Sequence, residues 1–274
     1  MPELPEVETI RNNLRQGAPG QPALLGKTIT GVELFWPRSL AMPGPDEFQA
    51  RLASQTIQEI GRRGKYLLIH LSQDTLIIHL RMSGDLLVEP DASEINPYHR
   101  LVIRFADGLR LAFNDTRKFG RVWLTADPQT VLEKLGPEPF DPALTPPVFY
   151  ERLNATRRQL KPLLLDQAFL AGLGNIYTDE ALNLAGLHPL VLSNRLSFEQ
   201  ADRLLYSIRS VLQEGIRRHG ASIDWVYRGG DFQNYFRVYH RTGLPCPTCG
   251  KAIQKITVGQ RGTHFCPDCQ PNSP

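Results

Sequence analysis

The most constraining feature of this 274-residue chain is the position of its four cysteines, which all lie within the last 30 residues. They form two C-x2-C pairs, Cys246 with Cys249 and Cys266 with Cys269, and 16 residues separate the pairs. This spacing is typical of one zinc ion held by four thiolates, and such a site is structural because no coordination position stays open. No cysteine remains for a disulfide elsewhere, which indicates a reducing compartment.

The residues between the two cysteine pairs predict a β-hairpin. Segments 252–258 and 263–265 have strand character, and residues 259–262 supply the turn between them. Arg261 lies in this turn, and a guanidinium on a rigid tip is suited to clamping a phosphate.

The first residues predict a reactive amine. Pro2 is small enough for an aminopeptidase to remove Met1, which would expose the secondary amine of proline. An α-amine has a pKa near ~8, so part of it is unprotonated near neutral pH and can attack a sugar carbon to form an iminium. Glu3 beside it can donate or accept a proton. The alternative is a proline-rich start, without chemistry, of the helix predicted at about 6–15.

The pattern after this helix predicts a multidomain α+β protein. Short strand-like segments at regular spacing favour an N-terminal β-sandwich against which the first helix packs, and prolines then mark a linker before a helical region. We expect a sandwich domain at 1–136, a helical domain at 137–240 and a zinc-finger hairpin at 241–274. The predicted strands are 28–34, 56–61, 66–71, 75–80, 85–89, 100–105, 110–114 and 121–124, and the predicted helices are 147–153, 160–166, 177–185 and 197–219.

Charge and hydropathy favour a polyanionic partner and no membrane. The net charge is only +3, but basic residues bunch in short runs, which together could form a phosphate-binding track. No apolar run approaches the ~18 residues that span a bilayer, and no basic segment followed by an apolar stretch opens the chain. We therefore expect a soluble, cytoplasmic protein. The basic runs lie at 62–65, 117–121, 157–161 and 217–219.

Two further segments are typical of binding elements. Residues 171–177 place two glycines and Asn175 at a tight helix-to-helix turn, where exposed N–H groups can bind a phosphate, although a plain turn is the simpler interpretation. Residues 220–239 are rich in glycine and polar residues and predict a long, mobile loop that covers a site.

Five segments occur together in an order that resembles one family. They are the N-terminal run 2–8, the Arg-Gly-Lys step at 63–65, the loop 114–120, the turn 172–177 and the zinc hairpin with residues 260–263. Together they resemble the bacterial formamidopyrimidine-DNA glycosylases, bifunctional enzymes that remove oxidised purines such as 8-oxoguanine. The resemblance covers essentially the whole chain, and its fold implies a helix–two-turn–helix domain between the sandwich and the zinc finger.

The resemblance implies the catalytic roles. Pro2 would attack C1′ of the damaged nucleotide, and Glu3 would serve as the acid/base carboxylate. Lys65 would donate a proton in β-elimination and contact phosphate, whereas on its own it would be interpreted as a surface lysine. Arg261 would hold the phosphate beside the lesion and take part in δ-elimination.

The resemblance also implies DNA contacts. Met82, Arg117 and Phe119 would fill the space left by the extruded base, because apolar wedges unstack base steps and an arginine can hydrogen-bond the orphaned partner. Without the resemblance, Met82 would be interpreted as a buried residue that fills a gap in the core and Phe119 as a core aromatic. Backbone contacts would come from His99, Arg117 and Asn175, and Arg152 is our prediction for one more contact whose register no motif determines.

Departures from the family pattern leave alternatives open. The family loop usually reads Asp-Pro-Arg-Arg-Phe-Gly, whereas Thr116 and Lys118 stand here, which puts the rigidity of the loop in question. An endonuclease VIII-like enzyme for oxidised pyrimidines is a second hypothesis, against which Leu4 argues because that branch typically starts Pro-Glu-Gly-Pro. A non-catalytic zinc protein that binds DNA is the third. We expect a monomer whose partner is double-stranded DNA with oxidised bases and whose cofactor is one structural Zn²⁺.

Overall fold

A computed structural model describes residues 1–222 and 229–272 of the chain. The chain divides into two compact units. The N-terminal unit comprises Met1–Glu133 and Ser222–Gly229, and the C-terminal unit comprises Lys134–Ala221 and Gly230–Pro274. No described helix is both long and apolar enough to cross a lipid bilayer.

The N-terminal unit is built on two β-sheets. Its strands are β1 (Ile29–Leu34), β2 (Leu40–Met42), β3 (Ile57–Arg63), β4 (Tyr66–Leu71), β5 (Thr75–His79), β6 (Gly84–Pro90), β7 (His99–Phe105), β8 (Leu109–Asp115) and β9 (Arg121–Thr125). A four-stranded sheet has the order β1-β7-β8-β6, and a five-stranded sheet has the order β2-β9-β5-β4-β3. The eight predicted strands are confirmed with small shifts at their ends.

The short element β2 and the helix after it were not predicted. β2 pairs with β9 in parallel, a contact distant in sequence that three residues cannot signal. The helix α2 (Pro45–Leu52) had a readable start, because proline is followed by Asp46 and Glu47 in the first turn. It buries Phe48 and Leu52 completely.

The helix α1 (Leu4–Gln16) shares the core of the sheets. Val7, Ile10 and Leu14 are buried in one cluster with residues from both sheets. Each such aliphatic side chain contributes about 1.5–3 kcal/mol when removed from water. This burial holds the N-terminus of the chain against the sandwich, as predicted.

The C-terminal unit combines four helices with a hairpin. α4 (Pro146–Asn154), α5 (Leu160–Leu165), α6 (Asn175–Ala185) and α7 (Phe198–Arg217) confirm the four predicted helices, and α3 (Gln129–Leu132) lies in the other unit. The hairpin pairs β10 (Gln254–Val258) with β11 (Arg261–Phe265). Ser197 caps α7 by accepting a hydrogen bond from the Gln200 N–H at 3.2 Å, and the Gln200 side chain bonds back to the Ser197 N–H.

The prediction of a mobile loop over 220–239 is wrong for the part from 230 onwards. A 3-10 helix spans Phe232–Tyr235, and the ring of Phe232 is buried and stacked on Tyr177 with centroids 5.1 Å apart. The carboxylate of Glu180 accepts hydrogen bonds from three successive backbone N–H groups, those of Arg237, Val238 and Tyr239. These contacts anchor the segment, whereas residues 223–228 lie outside the described residues.

Candidate active site and nucleic-acid interface

The N-terminus of α1 is buried and fixed. Pro2 and Glu3 are both buried, and Glu3 keeps only 2% of its surface exposed. The Glu3 N–H donates to the Glu6 carboxylate at 2.7 Å, and this capping interaction fixes the start of the helix. The Glu3 carboxylate, next to Pro2 in the chain, is therefore largely desolvated.

Hydrogen bonds set the register of α1 on the neighbouring strand. Arg11 Nε donates to the Ile60 carbonyl at 3.2 Å, and Arg62 Nε bonds to Glu8 at 2.7 Å. Moving toward the start of the helix therefore corresponds to moving toward the end of β3. Glu3 lies five residues before Glu8, about 8 Å along the helix, and Lys65 lies three residues after Arg62, about 10 Å along an extended chain. The helix start therefore lies near the turn that carries Lys65.

Lys65 is a buried residue and not a surface lysine. Its side chain is only 4% exposed. It follows Gly64 in the β3–β4 turn, where a φ of +56° favours glycine. The structure thus brings Lys65 and the Pro2–Glu3 terminus to the same end of β3.

His79 lies close to Lys65 and was not predicted. Its ring packs edge-on against Tyr66 with centroids 4.6 Å apart. Burial, aided by the charges of Arg81 and Lys65, lowers the pKa of His79 to about 3, so the imidazole is neutral at physiological pH. Because Nδ1 accepts the Arg81 N–H at 3.0 Å, the proton lies on Nε2, which can donate to an anion.

The three predicted hole-filling side chains lie on two loops of the sandwich. Phe119 is 52% exposed, Arg117 is exposed with its guanidinium 5.2 Å from the Phe119 ring, and Met82 is half-buried. Neither the gap-filler nor the core-aromatic interpretation fits these positions. An exposed phenylalanine with an arginine beside it is suited to entering a base stack.

Ser83 and Asp115 join these two loops and were not identified from the sequence. Both are 1% exposed, and the Ser83 hydroxyl donates a short hydrogen bond to Asp115. The Arg117 N–H donates to Ser83 Oγ at 3.0 Å and to Asp115 Oδ1 at 3.2 Å, and the Gly120 N–H donates to Asp115 Oδ2 at 2.7 Å. One carboxylate therefore holds both ends of the loop that carries Arg117 and Phe119.

Gly120 is required where this loop closes. A Cβ atom there would lie 2.2 Å from the Phe113 ring and 3.1 Å from the Asp115 carboxylate. Any larger residue would force the Phe113 ring to move and would crowd the Asp115 carboxylate that orders the loop. The glycine of the motif therefore has a packing reason.

We expect Asp115→Asn to reduce 8-oxoguanine excision from a duplex by about 10- to 100-fold, since charge-assisted hydrogen bonds contribute about 1.5–3 kcal/mol each. Covalent trapping on single-stranded abasic DNA should change little, because no base must be displaced from a stack there. Asp107→Asn is the matched control, since Asp107 is exposed and pairs with Lys27 at the opposite end of β8. Equal losses on both substrates would contradict a role in ordering the loop.

His99 is the first residue of β7 and pairs with Asn114, near the point where β8 leads into the loop that carries Arg117. It is 2% exposed, its Nε2 lies 3.7 Å from Glu89, and burial lowers the pKa of the imidazole. Its Nδ1 has no hydrogen-bond partner among the described residues. An unpaired buried nitrogen is costly, which is compatible with a ligand, and the DNA contact of His99 stays a prediction.

In the C-terminal unit, Asn175 is hydrogen-bonded to the residue that follows Arg261. Asn175 opens α6, and its Nδ2 donates to the Gly262 carbonyl at 3.0 Å. Gly259 and Gln260 have φ of +54° and +62°, so a two-residue turn precedes Arg261. Arg261 is thus the exposed first residue of β11, opposite Val258. The prediction that it lies in the turn is wrong.

A buried ion pair connects α5, α6 and β11. Lys161 and Asp179 are fully buried and in contact, and Asp179 also accepts the His264 N–H at 2.9 Å. Lys161 further donates to the Gly262 carbonyl at 3.3 Å. Gly262, which follows Arg261, is therefore hydrogen-bonded to side chains of both α5 and α6.

Arg152 has a structural partner. Its Nη2 donates to the Phe169 carbonyl at 2.8 Å, and the guanidinium lies 5.4 Å from the Phe169 ring. Half-burial leaves it less available than Arg261, and its DNA contact stays a prediction.

The four cysteines fit one zinc ion. Their Sγ atoms all lie within 4.8 Å of one another, with 3.8 Å between Cys246 and Cys269 and 3.4 Å between Cys249 and Cys266. Tetrahedral coordination with Zn–S bonds of about 2.3 Å requires sulfurs about 3.8 Å apart. The sequence prediction of a four-thiolate zinc site is confirmed.

We expect zinc removal to unfold the hairpin, because metal binding supplies much of the folding free energy of such small elements. Duplex affinity should fall by about tenfold or more, since the predicted contact of Arg261 with a phosphate is charge-assisted. Released zinc and duplex Kd would be followed together during chelation, and zinc addition should restore binding. Complete zinc release with unchanged affinity would contradict this.

Three family models match the chain in order. They describe the formamidopyrimidine-DNA glycosylase N-terminal domain at residues 1–122, the H2TH domain of the same enzymes at 135–226, and a zinc finger found in FPG and IleRS at 243–272.

Whole-chain comparisons agree with the family models. A formamidopyrimidine-DNA glycosylase of Protochlamydia amoebophila is 43% identical, covering 98% of this chain and 99% of the relative, and one of Chloroflexus aurantiacus is 49% identical, covering 98% of each. Lactococcus lactis Fpg, solved with DNA that contains Fapy-dG, superposes with a TM-score of 0.91 at 39% identity, covering 98% of this chain and 100% of that one. The chain therefore belongs to the formamidopyrimidine-DNA glycosylase family.

Proposed function

We propose that this protein is a bifunctional DNA glycosylase and abasic-site lyase that excises oxidised purines, 8-oxoguanine and formamidopyrimidines, from double-stranded DNA. The observation that carries the proposal is the buried Pro2–Glu3 terminus at the end of β3 where Lys65 is also buried. Similar proteins support the substrate, since Lactococcus lactis Fpg was solved with DNA containing Fapy-dG and with DNA containing an abasic site.

The chemistry assigns a role to each group. The Pro2 amine, once Met1 is removed, loses its proton, attacks C1′ and displaces the damaged base. The C1′–O4′ bond then breaks as O4′ is protonated, which gives the Schiff base. Glu3 exchanges protons with the sugar as its ring opens. Lys65 donates a proton during β-elimination and also contacts a phosphate. Arg261 holds the phosphate beside the lesion and takes part in the δ-elimination that follows.

Extrusion of the damaged base is assigned to the sandwich loops. Phe119 and Met82 wedge between bases, and Arg117 hydrogen-bonds the orphaned partner, because C1′ is not reachable within a stacked duplex. His99, Asn175 and Arg152 are assigned to the DNA backbone.

We assign catalysis to the β-sandwich domain at 1–136, DNA binding and the lesion-covering loop to the helix–two-turn–helix domain at 137–240, and the zinc finger to 241–274. We propose that the protein acts as a monomer on DNA in the bacterial cytoplasm, at the nucleoid.

Borohydride trapping tests the proposal. A duplex with 8-oxoguanine opposite cytosine should yield a covalent protein–DNA product that peptide mapping locates at Pro2. The same assay on a duplex with an oxidised pyrimidine must compare rates, because Lactococcus lactis Fpg was also solved with DNA that contains an oxidised pyrimidine. Faster trapping on the pyrimidine would assign the protein to the endonuclease VIII-like hypothesis. Tight binding without any trapping would leave a non-catalytic DNA-binding protein.

A further inference from the structure

Three exposed cations gather around one indole at an edge of the sandwich. The Lys118 ammonium lies 4.2 Å from the ring centre of Trp36, and the Arg38 guanidinium lies 5.6 Å from the same centre. Arg121 donates a hydrogen bond to the Arg38 carbonyl. We name these four residues the Trp36 cluster.

The fold, and not sequence proximity, assembles the Trp36 cluster. The parallel pairing of β2 with β9 sets Leu40 opposite Val122, so the 3-10 helix Pro37–Ser39 lies beside the start of β9. The loop before β9 contributes Lys118, which has a φ of +62°. Trp36 is half-buried, and it can orient the ammonium by a cation–π interaction of about 0.5–1 kcal/mol.

No carboxylate among the described residues pairs with a cation of the Trp36 cluster, although other basic residues of the same sandwich are paired. Arg104 bonds to Glu33 at 3.3 Å and to Asp91 at 2.9 Å. Three cations held together without an acid repel one another, and this arrangement favours a ligand that brings several negative charges.

We propose that the Trp36 cluster is a further DNA-backbone site, which binds phosphates of the duplex next to the point where Arg117 and Phe119 enter it. This inference rests on the proposed function. The cluster shares the 116–121 segment with those two residues, so a duplex that receives Phe119 runs close to Lys118 and Arg121. Its contacts are charge-to-phosphate contacts, which fix the position of DNA but do not read its sequence.

The salt dependence of duplex binding tests the proposal. Each phosphate contact contributes about 0.9 to the slope of log K against log salt, so Arg38→Gln and Lys118→Gln should each lower the slope by about 0.9. When salt rises from about 50 to 200 mM, the factor by which affinity falls should be about 12-fold smaller for the double variant than for the unsubstituted protein. The decrease should be equal for damaged and undamaged duplexes, because the backbone is the same in both.

Arg104→Gln is the matched control, since it removes one positive charge from the same unit at a site that is already paired. Its slope should stay close to that of the unsubstituted protein. An unchanged slope for Arg38→Gln and Lys118→Gln would overturn the proposal, and so would an equal decrease for Arg104→Gln, which would indicate a general charge effect. Borohydride trapping by the unsubstituted protein is measured alongside, so a failure of the proposed function is recognised separately.

Discussion

A form of the protein that retains Met1 is expected to lose at least about 1,000-fold in 8-oxoguanine excision and in borohydride trapping, because the nucleophile would then be an amide nitrogen. Met1 precedes Pro2 in the structure and is 37% exposed, so the Pro2 nitrogen becomes a free amine only when Met1 is removed. Quenched-flow excision of a duplex with 8-oxoguanine opposite cytosine gives the rate.

Pro2→Gly is the informative companion variant. Glycine also permits removal of Met1 and leaves a primary amine at the same position, so trapping should persist at a reduced rate. Glu3→Gln should keep the amine but slow excision, because the amide cannot exchange a proton with the sugar. Full activity with Met1 retained would refute the amine mechanism, provided that zinc content and circular dichroism are unchanged.

Asp179→Asn is expected to destabilise the C-terminal unit by about 3–5 kcal/mol, because Lys161 would remain charged and buried without its partner. Both side chains are fully buried, so solvent cannot compensate the charge. The substitution also weakens the acceptor for the His264 N–H in β11. Urea unfolding followed by a probe in the C-terminal unit measures the loss.

Two control variants distinguish the cost of leaving a buried charge unpaired from the simple loss of an ion-pair contact. Lys161→Met with Asp179→Leu should recover part of the stability, because an apolar pair avoids the desolvation cost of the charges, whereas the buried His264 N–H still loses its acceptor. Arg158→Gln breaks an ion pair with Asp166 that is largely exposed, at 44% and 36%, and should cost at most about 1 kcal/mol. A similar loss for Asp179→Asn and Arg158→Gln would show that the buried charge is not the cause.

The departure of this chain from the usual family loop has a structural answer. Thr116 stands in place of a proline, which would have restricted the backbone. Asp115, which the family pattern shares, accepts the N–H groups of Arg117 and Gly120, and Ser83 connects this loop to the one that carries Met82. Hydrogen bonds to a buried carboxylate therefore order the loop without the proline.

The sequence was sufficient wherever the signal is local. The spacing of Cys246, Cys249, Cys266 and Cys269 predicts the zinc site, because a tetrahedron of thiolates tolerates few loop lengths. Strands and helices were predicted from periodicity, since a side chain repeats its environment every two or 3.6 residues. The N-terminal run and the ordered motifs were sufficient to identify the family.

The tertiary structure decided what depends on residues distant in sequence. Lys65 looks like a surface lysine until the turn that carries it is buried, and Asp115 becomes important only because Ser83 and Gly120 converge on it. The Trp36 cluster likewise requires the pairing of β2 with β9. Burial and convergence are properties of the packed chain, because the desolvation and the hydrogen bonds that define these sites exist only after distant segments meet.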